Sequence, residues 1–172
     1  AKKLKPITID KSRSGNDQLP LEASELKQLR GLPCSLQWPA GQSCPHLQAS
    51  VSILMGRIPR ATIGTVHEAN KLLRFFKSNV DVGIDFPAVI ERPDQAGFVV
   101  MSDAAWGIRE DGASQTGYFV SLVHKDVILK GATGRYVVLD WKSCRTPRMS
   151  RSSLNSEAQA AAAGQDALEH VL

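Results

Sequence analysis

The hydrophobic pattern changes its period once along this chain, and that change constrains the fold more than any other feature. Between Leu47 and Phe76 apolar residues recur at the three- and four-residue spacing of amphipathic helices. After Asp81 they form short runs rich in β-branched and aromatic side chains, which are typical of strands. A chain of 172 residues can hold two small domains. The pattern therefore predicts a helical region followed by a separate region that contains a sheet.

The upstream region is predicted to be mainly helical. Residues 1–20 mix basic and polar side chains without a periodic apolar face, so we expect a flexible lead-in. A short surface helix is predicted over Leu21–Leu29, and Gly31 and Pro33 after it are expected to end it. A second helix is predicted over Leu47–Met55.

A third helix is predicted to begin at Thr65. The Thr65 hydroxyl can cap the first turn while Glu68, three residues later, bonds back to the backbone of the cap. The helix has one apolar face, which we expect to pack on a neighbour. That face contains Val66, Ala69, Leu72, Leu73 and Phe76.

Downstream of a linker at residues 84–95, three strands are predicted: Phe98–Met101, Tyr118–Val123 and Tyr136–Trp141. The first is a continuous apolar run, which is typical of a strand buried on both faces. Arg109–Gly112 is predicted to be a turn between the first two strands. Asp126–Leu129 is predicted to extend the second hairpin.

The last segment, Ser152–Leu172, is predicted to be an alanine-rich helix capped by Ser152 or Ser153. Its expected packing face consists of Leu154, Ala158, Ala161, Leu168 and Leu172. Three strands followed by a helix indicate an antiparallel sheet with a helix across it, an α+β fold.

Two carboxylates are candidates for chemistry. Asp103 ends the first predicted strand, and Glu157 lies in the first turn of the last helix, beside its small residues. If that helix packs over that strand, the pair can approach and form part of a site for a hard divalent cation such as Mg²⁺. The alternatives are a solvated Asp at a strand end and a Glu stabilised by the helix dipole.

Basic residues concentrate between the third strand and the last helix, with no acidic residue among them: Lys142, Arg145, Arg148 and Arg151. Such a cluster suits contacts to a nucleic-acid backbone, and Ser152 and Ser153 at the helix start can bind a phosphate oxygen. The alternative is an ordinary solvated basic loop.

Charge and cysteine content agree with an intracellular protein. The formal charge of +4 suits contact with phosphates without requiring it. The three cysteines form no Cys-x-x-Cys pair, and Cys44 with His46 alone is a weak indication of a metal site. No signal peptide or membrane-spanning run is present in the sequence, so we expect a cytoplasmic location and no membrane partner.

Four segments of the downstream region resemble successive motifs of copia-type retrotransposon ribonuclease H domains, in order and spacing: Ser102–Trp106, Gly117–Tyr118, Trp141–Ser143 and Ser152–Ala160. Upstream, Gly31–Phe86 is similar to the connecting segment of the same reverse transcriptase polyproteins, notably at Ser35–Trp38 and Glu68–Phe75. The resemblance implies that residues 21–92 are the connecting segment and that residues 95–172 are the first half of a ribonuclease H-like domain.

The resemblance also implies a chemistry. Members of that family hydrolyse the RNA strand of RNA–DNA hybrids with two Mg²⁺ ions held by four residues. By motif, Asp103 corresponds to the aspartate of the first strand and Glu157 to the glutamate of the first helix. The other two ligands lie on a later strand and helix, which we expect beyond Leu172. The implied partners are an RNA–DNA hybrid and the remainder of the polyprotein.

Three hypotheses follow. The chain is a fragment of a hydrolase whose site is incomplete here, or a non-catalytic remnant that binds nucleic acid or has a structural role. The third is an unrelated α+β interaction domain, which requires the matched motifs to be coincidental.

Overall fold

The computed structural model describes residues 4–172, and the chain divides into two compact units, residues 1–83 and 84–172. Unit 1 is helical. It contains α1 (Ala23–Gln42), α2 (Gln48–Arg57) and α3 (Ile63–Ser78), with short 3₁₀ turns before and after α2. One hydrophobic core joins the three helices, and it includes Leu29, Leu36, Leu47, Val51, Val66 and Leu73.

The first helix is much longer than predicted. It does not end at Gly31 and Pro33 but continues to Gln42, with Pro33 and Pro39 inside it. An interior proline costs a helix about 3 kcal/mol. Burial of a leucine side chain contributes about 1.5–3 kcal/mol, and Leu32 and Leu36 both lie in the core. Burial of Leu32, Leu36 and Ala40 therefore offsets much of the cost of the two prolines.

The third helix begins two residues earlier than predicted. Thr62 is its N-cap, and the backbone N–H of Thr62 donates to Oγ1 of Thr65 at 3.1 Å. The predicted capping box of Thr65 with Glu68 is wrong: Thr65 is buried inside the helix, and Glu68 pairs with Arg57 instead. The earlier start also buries Ile63 fully. Most of the predicted apolar face is confirmed, since Val66, Ala69, Leu73 and Phe76 are buried and Leu72 packs against them.

The lead-in is more ordered than predicted. Ala1 to Lys3 lie outside the described residues, but Ile7 is 5% exposed and belongs to the core of unit 1. The side-chain amide of Asn70 accepts from the N–H of Ile7 and donates to its carbonyl oxygen, both at 2.8 Å. This segment therefore buries one residue without forming a helix or strand.

Unit 2 contains a three-stranded antiparallel sheet. Its strands are β1 (Ala96–Ala105), β2 (Gln115–His124) and β3 (Tyr136–Arg145), in the order β1-β2-β3. Helix α5 (Ser153–Val171) packs on β1 and β2. The three predicted strands, the predicted helix and the α+β arrangement are confirmed.

Two details of the sheet differ from prediction. Residues Lys125–Leu129 form a short helix, α4, rather than a strand extension, and the N–H of Asp126 donates to Nδ1 of His124 at its start. Strand β1 is not buried on both faces, because Met101 is 56% exposed. It is an edge strand, and α5 covers only one of its faces.

The packing face of α5 also differs from prediction. The buried positions are Ser156, Ala160, Gly164 and Ala167, whereas Leu154 and Leu172 are both 77% exposed. The helix lies so close to the sheet that small residues fit beneath it and leucines do not. Among the helices of residues 4–172, none is long and apolar enough to cross a membrane.

Candidate nucleic-acid interface

The basic segment, residues 142–151, contains the end of β3 and most of the connection to α5, and it carries four exposed cations. Lys142 lies in β3 opposite Tyr118, and Arg145 ends the strand opposite Gln115. Arg148 and Arg151 follow in the irregular stretch before α5. Because side chains alternate along β3, Lys142 projects from the face of the sheet that α5 covers and Arg145 projects from the opposite face.

The four cations are not equivalent. Nε of Arg145 donates to Oδ2 of Asp111 at 2.9 Å, so a neighbouring carboxylate neutralises this guanidinium. The hydrogen bond from Arg145, and a second from the backbone of Ala113, lower the pKa of Asp111 below its ordinary value. Within residues 4–172, no acidic partner pairs with the other three. They are Lys142, Arg148 and Arg151.

Two anchors, one after β3 and one before α5, fix the second half of the basic segment. Thr146 is buried, its N–H donates to the carbonyl oxygen of Ser114 at 2.9 Å, and its hydroxyl bonds that of Thr116 at 2.8 Å. At the other end, Nε1 of Trp106 donates to the carbonyl oxygen of Ser150 at 3.1 Å. The Ser150 hydroxyl also accepts from the amide of Gln159 at 2.9 Å. The stretch that presents Arg148 is therefore held in place.

The N-terminus of α5 adjoins the basic segment. Oγ of Ser152 accepts from the N–H of Asn155 at 3.2 Å, which confirms Ser152 as the cap. Ser153 is exposed and opens the helix. A 19-residue helix carries a partial positive charge at this end, which favours anions. The cap hydroxyl and Arg151 therefore lie at an electropositive end of the unit.

The two candidate carboxylates leave the sheet on opposite sides. Val100 and Ser102 of β1 face Gly164 of α5. Because side chains alternate across a strand, Asp103 projects from the other face of the sheet. It is exposed, opposite Gly117 of β2. Helix α5 packs over β1 as expected, but Asp103 does not point toward it.

Glu157 is half-buried next to Ser156, on the helix side of the sheet. Neither this carboxylate nor that of Asp103 has a hydrogen bond or ion pair with another residue of the described chain. A shared Mg²⁺ ion requires oxygens that converge on one point. Two carboxylates on opposite faces of a strand do not fit such an ion.

Elsewhere in residues 4–172, no group of three or more His, Cys, Asp or Glu side chains is arranged to hold a metal ion. His46 instead packs edge-to-face on Phe75, with ring centroids 5.9 Å apart. Cys44 is buried in the core of unit 1.

Several residues that shape the interface were missed by sequence reasoning. Trp106, Thr146 and Ser150 anchor the basic segment, and Asp111 forms a salt bridge with one of its cations, Arg145. Their partners are distant in the sequence, so no local pattern reveals them. In the sequence, Trp106 is only the last residue of the Ser102–Trp106 motif.

Comparison with protein-family models, with curated proteins and with solved structures finds no match to this chain.

Proposed function

We propose that this chain is a nucleic-acid-binding, non-cleaving part of a copia-type retroelement polyprotein. Unit 2 is then the first half of a ribonuclease H-like domain, and unit 1 the connecting segment of the reverse transcriptase. The resemblance of the motifs around Asp103 and Glu157 supports this reading, as does the order of three antiparallel strands and a helix.

One observation carries the binding function: two exposed cations without acidic partners, Arg148 and Arg151, lie on an anchored segment beside the positive end of α5, and a third, Lys142, projects from the face of the sheet that α5 covers. An unpaired surface cation retains its full charge for a phosphate, and each neutralised phosphate releases counterions. An anchored segment also loses little conformational entropy when it binds. Lys142, Arg148 and Arg151 are therefore the proposed phosphate contacts, with Ser152 and Ser153 as neighbouring donors.

Arg145 has a smaller role in this proposal. A phosphate that approaches it must compete with Asp111, whose carboxylate already accepts from Nε at 2.9 Å. We therefore expect Arg145 to contribute less to nucleic-acid binding than each of the three unpaired cations.

The proposed ligand is an RNA–DNA hybrid, because that is the substrate of the family that the motifs resemble. In the parent polyprotein, the proposed activity is hydrolysis of the RNA strand with Mg²⁺. In the chain described, Asp103 and Glu157 do not converge, so we assign them no catalytic step. The remainder of the polyprotein is the second proposed partner. Within residues 4–172 no strand pairs with the outer edges of β1 and β3, so these edges suit addition of further strands.

The proposal is tested by fluorescence anisotropy of a labelled RNA–DNA hybrid titrated with the full chain at several salt concentrations. The test variant replaces Lys142, Arg148 and Arg151 by Ala. The matched control replaces Lys27, Arg30 and Lys77 by Ala, which removes the same charge from exposed positions of unit 1. Both variants have the same net charge, so any difference in their affinity for the hybrid reports the position of the removed charges.

The test variant is expected to bind more weakly and to lose about one unit of salt slope for each phosphate contact removed. The control variant is expected to retain most of both. Arg145→Ala alone is expected to weaken binding less than Arg148→Ala alone. Equal losses in the test and control triple variants would show that net charge alone attracts the nucleic acid, and would refute the proposed interface.

A further inference from the structure

Unit 1 contains a cavity of about 420 Å³ between α2 and α3. This volume lies in the range of small-molecule sites, which are mostly apolar with a few polar groups. Its walls are mainly apolar and include Ile53 and Leu54 from α2, and Leu72 and Phe75 from α3. The proposed nucleic-acid interface uses none of these residues.

One wall of the cavity, Phe75, is an apolar side chain that the core of unit 1 does not bury. Helix α3 buries Val66, Ala69, Leu73 and Phe76, whereas Phe75 remains 46% exposed. The ring of His46 meets that of Phe75 at an angle of 76°, in an edge-to-face contact. Such pairs hold aromatic rings in place. The partly exposed Phe75 ring is therefore held in position by His46 as one wall of the cavity.

The charges at the rim favour one kind of ligand. Glu68 and Lys71 both line the cavity. Arg57 pairs with Glu68 and neutralises it. Lys71 has no acidic partner among the described residues, so its ammonium group keeps its charge. An apolar wall with one available cation is complementary to an apolar molecule that carries one negative charge.

We propose that this cavity binds a small apolar carboxylate. The apolar body lies against Leu72 and Phe75, and the carboxylate pairs with Lys71. The exposed position of Lys71 keeps its own desolvation cost low, while the apolar body supplies most of the affinity.

The test is a calorimetric titration of the full chain with 2-naphthoate, and with 2-naphthalenemethanol as its neutral analogue. Lys71→Met keeps an unbranched side chain that is one atom shorter and removes its charge. It is expected to weaken 2-naphthoate binding about fivefold and to leave binding of the alcohol unchanged. Lys77→Met, on an exposed part of the same helix, is the matched control and should change neither affinity.

A second pair of variants tests the location. Ser50 is an exposed residue that lines the cavity, so Ser50→Trp should fill the space without removing a core side chain. It is expected to abolish binding of both probes. Ala49→Trp, exposed on the same helix but outside the lining, should leave both intact. Amide NMR spectra establish that each variant is folded.

Three results would overturn the proposal. The first is an affinity for 2-naphthoate that Lys71→Met does not change. The second is binding of either probe that survives in Ser50→Trp. The third is a concentration-dependent dimer in sedimentation velocity that Ser50→Trp abolishes, since the cavity would then be filled by a second copy of the chain.

Discussion

Gly164 of α5 lies so close to Val100 of β1 that a Cβ atom built on the glycine would be 2.7 Å from Cγ1 of the valine. The same atom would meet Cβ of Ser102 and of Tyr118 at 3.6 Å. The glycine is therefore needed for close approach of helix and sheet. This contact sets the spacing between the layers of unit 2.

Gly164→Ala is predicted to destabilise unit 2 by about 1 kcal/mol. Alanine gains about 1 kcal/mol over glycine inside a helix. Overpacking a close contact costs about 1–3 kcal/mol, and the stiff Val100 side chain cannot rotate away cheaply. Urea denaturation of the full chain, followed by amide NMR signals of unit 2, measures the change.

The same substitution at Gly31 is the control. Gly31 lies inside α1, and a Cβ atom there meets nothing within 4 Å. Gly31→Ala is therefore predicted to stabilise unit 1 by about 0.5–1 kcal/mol. A stabilising effect of both substitutions would show that α5 is farther from β1 than described here.

Ser114 and Ser156 form the next contact between α5 and the sheet region. Their hydroxyl oxygens are 3.0 Å apart, and both side chains are buried. Ser156→Ala leaves the Ser114 hydroxyl without this partner, which is predicted to cost about 1–2 kcal/mol of unfolding free energy. Ser24→Ala, at an exposed position of α1, is the control and should change the free energy of unfolding by less than about 0.5 kcal/mol.

A double-mutant cycle isolates the pair. If the hydroxyls interact, Ser114→Ala together with Ser156→Ala should cost less than the sum of the single changes, by at least about 0.5 kcal/mol. Strict additivity would mean that each hydroxyl is satisfied elsewhere, for Ser114 by the N–H of Gly107, which donates to it at 3.3 Å.

In unit 1, Asn70→Asp is predicted to release the segment around Ile7. The carboxylate retains the acceptor for the N–H of Ile7 but replaces the donor to its carbonyl oxygen by a second acceptor. The expected cost is about 1–3 kcal/mol, with faster hydrogen exchange at the Ile7 amide. Gln28→Glu makes the same chemical change at an exposed site and should leave that amide protected.

The sequence pattern predicts the helices and strands better than it predicts how they pack on one another. The three strands, α5 and the buried face of α3 follow from runs and spacings that are visible locally. The length of α1 does not, because burial of Leu32 and Leu36 in the core offsets the cost of Pro33 only in the folded unit. The face of α5 was wrong because hydrophobicity ranks leucine above glycine, whereas close packing at Gly164 selects the smaller residue.

The candidate site was predictable to a similar extent. The basic cluster is a local feature, and all four cations are exposed. The pairing of Arg145 with Asp111 joins residues 34 positions apart, so the sequence does not reveal that one cation is occupied. Because side chains alternate along β1, the sequence predicts that Asp103 and Ser102 project from opposite faces of the sheet. Only the structure identifies which of these faces α5 covers.

That geometry predicts no hydrolysis by this chain. A labelled RNA–DNA hybrid incubated with the protein and Mg²⁺ should remain intact, because Glu157 lies on α5 whereas Asp103 projects from the face of the sheet that α5 does not cover. An active ribonuclease H added to a parallel sample verifies that the hybrid can be cut. Cleavage by this chain that Asp103→Asn removes would contradict the prediction.

Tyr118 gives unit 2 a pH dependence in the alkaline range. Partial burial, the negative charge of Asp140 and the hydrogen bond from the Tyr118 hydroxyl to Oδ2 of Asp140, at 3.3 Å, raise the pKa of Tyr118 to about 12. In the unfolded chain the pKa of tyrosine is about 10. The protonated phenol is thus favoured by folding. Its contribution to stability is complete below pH 10, decreases as pH rises from 10 to 12, and is lost above 12.

The unfolding free energy of the native chain, minus that of Tyr118→Phe, should therefore fall between pH 10 and 12. Other groups titrate alike in both proteins and cancel in the difference. Absorbance at 295 nm reports tyrosinate directly, and Tyr118→Phe should remove the step near pH 12. Asp140→Asn should move that step to lower pH, because it removes the charge that opposes ionisation. A difference that stays constant from pH 9 to 12 would show that the phenol ionises equally easily in the folded and unfolded chain.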